Sequence, residues 1–446
     1  MKPTTTLILA LVVLGLGAFV YFYEIKGGEE RGKAEEEGKK IFALEADSVR
    51  AISLQEAGVA FEKRGSAWHL VAPVEYLADE GAVNALLNRI ASAKREREIS
   101  SSAAEYRNYG LLPASETIVL EYQNKKDTLY LGDKSATNAM VYVRRNSDPH
   151  VILTEAAVLT NAQKTLHDWR DKSLMKFETN EATRLSLTTP SGRFDLYKEG
   201  ETWRLAAPLQ AEADASKVSS ILSKMSYSRV TDFVAESLDD AKYYGLDNPS
   251  YIFTIALGAS ALDTSGAQKT MHFGRRTGVG YYAHDPSRSQ VFLVDSTVVN
   301  ELKVDALALR NKRVAQFESF RVDYLALQYP ETLIVCEKDT ASQWRMTSPD
   351  SAKAKSWKVS NLTGVLADMQ AVAFIDEDKT ELTLYGLDKP RAAILVKEKG
   401  AELAHVLIGK AKGDRVYVKS ADSPMVVLVK KEEADRLIVA VSELKE

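Results

Sequence analysis

The stretch that decides the fold is Trp203-Arg204-Leu205-Ala206-Ala207-Pro208, followed later by Tyr244-Gly245-Leu246. The same pair of signals occurs three times. Trp68 opens WHLVAP and ends at Pro73; Trp203 opens WRLAAP and ends at Pro208; Trp344 opens WRMTSP and ends at Pro349. Each is followed by a Tyr-Gly-Leu triplet: Tyr109-Gly110-Leu111, Tyr244-Gly245-Leu246 and Tyr385-Gly386-Leu387. In every copy the glycine stands 42 residues after the tryptophan (68 to 110, 203 to 245, 344 to 386). A proline follows each triplet, at Pro113, Pro249 and Pro390. An offset held to the residue in three copies is the mark of a tandem repeat.

Working outward, an amphipathic helix lies between the two signals. Val83, Leu86, Leu87 and Ile90 have the i, i+3, i+4, i+7 spacing of one helical face. Val218, Ile221, Leu222 and Met225 repeat it, and Val359, Leu362, Thr363 and Leu366 do so with one polar member. Asp79 and Asp214 precede the first two helices as N-caps would. Runs rich in Val, Ile, Tyr and Phe flank this core on both sides and read as strands. RLSLTT and RFDLYK stand before Trp203; YIFTIAL, MHFGR, GYYA and VFLV follow its triplet. Gly132, Gly274 and Gly409 end the second strand after each triplet, where a turn is expected. Val151–Arg170 and Val291–Arg310 align without a gap and predict a closing helix in each copy.

The predicted unit is therefore three strands, a helix, four strands and a helix, an α+β arrangement with mixed or antiparallel sheets. Its boundaries fall at 45–178, 179–318 and 319–446. Such units are large enough to hold a core each. The tryptophans, triplets and prolines read as packing and turn residues rather than chemistry.

Thr4 to Tyr23 runs for 20 residues without a charge, long enough as a helix to cross the roughly 30 Å of a bilayer core. Tyr21, Phe22 and Tyr23 close it with interface-loving rings. Gly15 and Gly17 are a small-x-small pair of the kind a cleaved signal uses, but the apolar run continues through Val20. Residues 1–26 are thus expected to be an uncleaved signal anchor, and 27–44 a charged linker beginning GGEERGKAEEEGKK. Lys2 favours an inside N-terminus, while Lys26, Arg31, Lys33, Lys39 and Lys40 count the other way. Long domains cross largely regardless of such charges. The expectation is a single-pass inner-membrane protein whose body lies outside the cytoplasm.

Lys+Arg number 58 and Asp+Glu 62, a near balance that gives no general pull toward nucleic acid. One cysteine, Cys336, forbids an intrachain disulfide and a Cys-based zinc site; in the apolar run LIVCEK it reads as a small buried side chain. Phosphate-loop, dinucleotide, nucleophile-elbow and zinc-protease motifs are missing, and six histidines are scattered over the chain. No cofactor, metal or catalytic residue is expected. Three local features remain. Gly274 to Gly280, with Arg275 and Arg276, reads either as an anion-binding loop or as a hairpin turn. Arg310, Lys312 and Arg313 form a basic run that either meets an anionic partner or ends a helix in water. Asp376-Glu377-Asp378 has hard-cation chemistry, but the other copies lack it, so it reads as a solvated loop.

The anchor, the charged linker, W-x-h-x-x-P and Y-G-L-x-x-P together resemble the bacterial domain-of-unknown-function 4340 family. Tyr244–Pro249 and Tyr385–Pro390 carry the resemblance best; Tyr109-Gly110-Leu111-Leu112-Pro113 is one residue shorter. The resemblance implies a single-pass envelope protein, of a kind often encoded beside ABC transporter subunits of gliding-motility type. It supplies no catalytic residues. The leading expectation is a non-enzymatic envelope protein that binds or scaffolds partners such as ABC transporter subunits or other envelope proteins. A glycan- or lipid-binding module, using exposed tyrosines, is the alternative; an enzyme with a site between units is the third.

Overall fold

A computed structural model describes Leu16, Tyr21 and residues 36–258, 267–375 and 381–446. Apart from Leu16 and Tyr21, both exposed, the expected anchor lies outside these residues, as does the linker through Glu35. Among the described residues no helix is long and apolar enough to cross a membrane. The chain forms two compact units, one ending at Lys172 and one spanning Ser173–Glu446. The first carries one nine-stranded sheet and the second carries two, so the α+β expectation holds, and every strand pairing is antiparallel.

The first sheet shows how the sequence builds a module. Strands β1 (Val49–Leu54), β2 (Val59–Arg64) and β3 (Ala67–Ala72) follow one another through tight turns. A two-residue edge strand, β4 (Tyr76–Leu77), comes next, then helix α1 (Glu80–Ser92). A short strand, β5 (Arg97–Ser100), and a 3-10 turn, Ala103–Tyr109, lead into β6 (Glu116–Tyr122), β7 (Lys125–Lys134), β8 (Met140–Arg145) and β9 (Asp148–Glu155). The spatial order is β4-β3-β2-β1-β6-β7-β8-β9-β5. Both edges are thus closed by very short strands, a common way of blunting an edge. These two short strands were invisible to the strand pattern because neither is long enough to alternate. The closing helix is also different from expectation. Val151–Glu155 ends β9, in keeping with the strand read at VFLV in the second copy, but the helical remainder divides into α2 (Ala157–Ala162) and α3 (Leu166–Trp169), since Lys164 and Thr165 leave the helical path and Thr165 caps α3.

The other two sheets repeat the order strand for strand. Their long helices are Ala215–Tyr227 and Ser356–Ala367. Asp79 and Asp214 cap the first two, accepting hydrogen bonds of 3.0 Å from the Ala82 and Lys217 amides. Each helix buries its predicted stripe, Val83/Leu86/Leu87/Ile90, Val218/Ile221/Leu222/Met225 and Val359/Leu362/Thr363/Leu366. Burying each large apolar side chain contributes about 1.5–3 kcal/mol, so the stripe is what fastens each helix to its sheet.

The third module shows the two-faced design. Its main core joins Val359, Leu362 and Leu366 to Leu325, Cys336, Trp344, Met346, Ile394, Val427 and Val429. A smaller cluster of Tyr385, Leu387, Tyr417, Val426 and Leu428 forms separately. Val426 to Val429 alternate between the clusters, and successive strand residues point to opposite faces. The helix therefore covers one face of the sheet and the Tyr-Gly-Leu turn covers part of the other.

Candidate functional site

The repeat signature occupies packing and turn positions. Trp68, Trp203 and Trp344 are buried in strands. Pro73, Pro208, Pro349 and Pro113 follow cis peptide bonds. Gly110, Gly245 and Gly386 end the triplet turns with φ near +65°, the left-handed conformation that favours glycine. Gly132, Gly274 and Gly409 do not sit in turns, as the sequence suggested. They lie inside strands, at register shifts between Leu131 and Lys134, Phe273 and Arg276, and Ile408 and Ala411. A Cβ at Gly274 would overlap the Tyr244 carbonyl oxygen, and the same clash recurs at Gly132 with Tyr109 and at Gly409 with Tyr385. The two glycines of each module thus let the turn lie directly on a bulged strand. Beside them a tyrosine pair recurs: Tyr109–Tyr142, Tyr244–Tyr282 and Tyr385–Tyr417, with ring centroids 4.8, 5.0 and 4.7 Å apart.

The basic glycine-rich segment is a hairpin. Gly274, Arg275 and Arg276 end the strand Gln268–Arg276, and Gly280 begins the next. The Thr277 hydroxyl accepts hydrogen bonds from the Val279 and Gly280 amides, at 3.3 and 3.1 Å. The Thr277, Val279 and Gly280 amides are therefore engaged within the turn rather than offered to an anion. The Arg275 guanidinium lies 4.8 Å from the Tyr243 ring centroid and 5.9 Å from that of Tyr282. Tyr243 is 54% exposed and meets Tyr244 edge-on at 5.0 Å. In the second module the recurring tyrosine pair is thus part of a three-ring patch with a cation on it, and in the first module Arg144 lies over Tyr106 and Tyr130 of the corresponding cluster.

Arg310, Lys312 and Arg313 are brought together, but not at a helix end in open water. Arg310 follows the short helix Ala306–Leu309, and the chain then runs extended between the second and third sheets. Arg310 bridges Ala213, and the Asn311 amide donates to the Glu212 carbonyl. Arg313 bridges Gln370, the Ala371 amide donates to the Lys312 carbonyl, and the Val314 amide donates to that of Met369. The connector is thus paired to the second module on its first half and to the third on its second half. Arg310 is 6% exposed, with its guanidinium 3.5 Å from the Phe374 ring centroid. The Lys312 ammonium is 3.8 Å from the Asp214 carboxylate.

Two cavities open beside this connector. The larger, about 690 Å³, is lined by Arg204, Arg310 and Arg313 and by Phe374, Leu403 and Met425, among others. The smaller, about 440 Å³, is lined by Asp214, Lys312, Arg313 and Gln370, among others. Arg313 borders both, whereas Arg275 and Arg276 border neither.

One constellation had no sequence signal. Glu116, at the start of β6, is 2% exposed and is hydrogen-bonded to Glu56 in the β1–β2 turn. Its carboxylate accepts from the Glu56 and Thr117 amides at 3.1 and 3.0 Å, and Glu56 accepts from the Thr117 hydroxyl at 3.0 Å. Burial, followed by the Glu56 carboxyl beside it, pushes Glu116 up to about 7. Burial pushes Glu56 the same way, but hydrogen bonds from Glu116 and Thr117 outweigh it and hold it below the usual range. The two residues are 60 positions apart, so only the strand pairing shows the contact. Cys336 is in the third core, where burial pushes its thiol up to about 11 and away from thiolate chemistry. Among the described residues no three His, Cys, Asp or Glu side chains are grouped to hold a metal. Asp376-Glu377-Asp378 lies outside the described residues.

Fold and site together define a tandem protein of three α+β modules whose signature residues serve packing. The sequence profile described as "Domain of unknown function (DUF4340)" matches residues 68–249, 203–343 and 344–444, each match starting at a signature tryptophan. The chain belongs to this family. No curated protein matches it. Among solved structures, it is similar at 7% identity to the DNA polymerase III subunit beta from Pseudomonas aeruginosa, over 71% of this chain and 86% of that one, with a TM-score of 0.13. A DNA polymerase sliding clamp from Pseudomonas aeruginosa with ligand gives 6% identity over 89% and 94%, with a TM-score of 0.15. Scores so low carry no argument about fold or function.

Proposed function

We propose that the chain is a membrane-anchored, extracytoplasmic binding or scaffold protein, an auxiliary part of an ABC-type transport or envelope complex. The observation that supports this most is the threefold use of one module whose most distinctive residues, the Trp, Tyr-Gly-Leu and strand-glycine positions, are spent on packing. The uncharged run from Thr4 to Tyr23 supplies the membrane tether. Three related surfaces on one tether raise the effective concentration of each for a shared partner. Crosslinking in membranes followed by detergent pull-down of the full chain tests this. Recovery of integral transporter subunits is the expected result; a crosslinked chain that recovers no other envelope protein overturns it.

A second reading, an envelope glycan-binding module, draws support from the Tyr243, Tyr244, Tyr282 and Arg275 patch. Sedimentation of residues 41–446 with cell-wall polymer, lost on Tyr243→Ala, would favour it over the scaffold.

A further inference from the structure

The cavity between the second and third sheets divides its chemistry by element. The second sheet and the connector supply guanidinium groups, from Arg204, Arg310 and Arg313. The third sheet supplies an apolar wall of Phe374, Leu403, Met425 and Val427. Two carboxylates also line the space, and one is already engaged: Glu212 accepts from the Asn311 and Gln316 side-chain amides at 2.7 and 2.9 Å. The other, Asp422, is exposed. Of the three cations, Arg204 pairs with Glu199 and Arg310 stacks on Phe374. Arg313 is exposed and, among the described residues, its guanidinium makes no ion pair. At about 690 Å³ the space is the size of an ordinary small-ligand pocket, apolar in part with a few convergent polar groups.

We propose that this cavity binds an amphipathic anion, with its carboxylate or phosphate head on Arg313 and its hydrocarbon chain along Phe374, Leu403 and Met425. A purely polar anion would leave the apolar wall wet, and a neutral hydrocarbon would leave Arg313 without a counter-charge; joining the two satisfies both sides. The inference goes beyond the scaffold reading and does not depend on it, because it concerns a pocket wholly within Ser173–Glu446.

The test is calorimetric titration of the full chain in lipid nanodiscs, with empty nanodiscs as the blank, using acetate, octanoate, decanoate, dodecyl phosphate, inorganic phosphate and the neutral dodecyl maltoside. Saturable binding of decanoate and dodecyl phosphate is expected, tightening about twofold to fourfold per added methylene. Acetate, inorganic phosphate and dodecyl maltoside should bind at least tenfold more weakly. Arg313→Glu should weaken decanoate binding at least tenfold, while the surface control Arg276→Gln leaves it unchanged; matching thermal melts would show that both variants are folded. If dodecyl maltoside binds as well as decanoate, if inorganic phosphate alone binds as tightly, or if Arg313→Glu has no effect, the proposal is wrong. Decanoate without dodecyl phosphate would assign the head as a carboxylate, and the reverse a phosphate.

Discussion

At the level of single residues, the closest constraint is the contact between paired glycines. Gly274 has no room for a methyl group against the Tyr244 carbonyl, and both partners are backbone, so neither can swing away. Gly274→Ala should cost at least about 2 kcal/mol in urea unfolding, as overpacking does. Gly278, four residues on, has nothing within 4 Å of its Cβ position, so Gly278→Ala should change stability by less than about 0.5 kcal/mol. Equal effects at the two sites would contradict the packing account. The carboxyl pair makes a second prediction. Glu116 binds its proton more tightly folded, at about 7, than at its ordinary value of 4.5. Its contribution is therefore fully present below pH 4.5 and lost as pH rises through about 7. Glu116→Gln removes that loss, so at pH 8 the variant should be the more stable by about 1–2 kcal/mol, a figure discounted for partial solvent screening. Denaturation midpoints at pH 5 and pH 8 would check it; a variant that loses stability equally at both would rule it out.

Among the elements, helix starts separate the third module from the first two. Asp79, Asp214 and Lys355 hold nearly the same backbone angles before their helices, yet only the aspartates cap. Lys355→Asp should therefore stabilise the chain by about 0.5–1 kcal/mol, read as an upward shift of the thermal midpoint. The sequence displays these helices well, because four apolar positions on one face leave a period that survives in every copy. Long strands such as YIFTIAL are legible for the same reason, since alternation needs five or more residues to show. Tyr76–Leu77 and Ala211–Glu212 are too short for any period, and their place at the sheet edges is set by partners that are distant in the chain. Gly274 lies on a bulged strand instead of in the expected turn, and because glycine marks turns and bulges alike, only the three-dimensional contact separates them. The cavity beside Arg313 draws on residues from 204 to 427, and no local spacing encodes that meeting. Of the basic residues singled out from sequence, Arg310 and Arg313 line it, whereas Arg275 is committed to tyrosine rings.

For the whole molecule, repetition governs what should be separable. Among the described residues, the main core of the third sheet is drawn from between Val314 and Leu444. A fragment of residues 312–446 should accordingly unfold in one cooperative transition, followed by near-ultraviolet circular dichroism in guanidinium. A broad, non-cooperative loss would mean that the third core needs its neighbour.

The connector from Arg310 to Val314 carries a consequence for how such chains grow. By backbone pairing its first two residues are addressed to the module before it and its last three to the module after, while the Lys312 side chain reaches back to Asp214. A duplication that copied a module with one whole connector would keep every pairing in phase. A cut between Asn311 and Lys312 is then the seam at which a further copy could be spliced in. One extra residue there would put the connector out of register with one of the two modules it pairs with, so the spacing acts as a ruler that any longer array must respect.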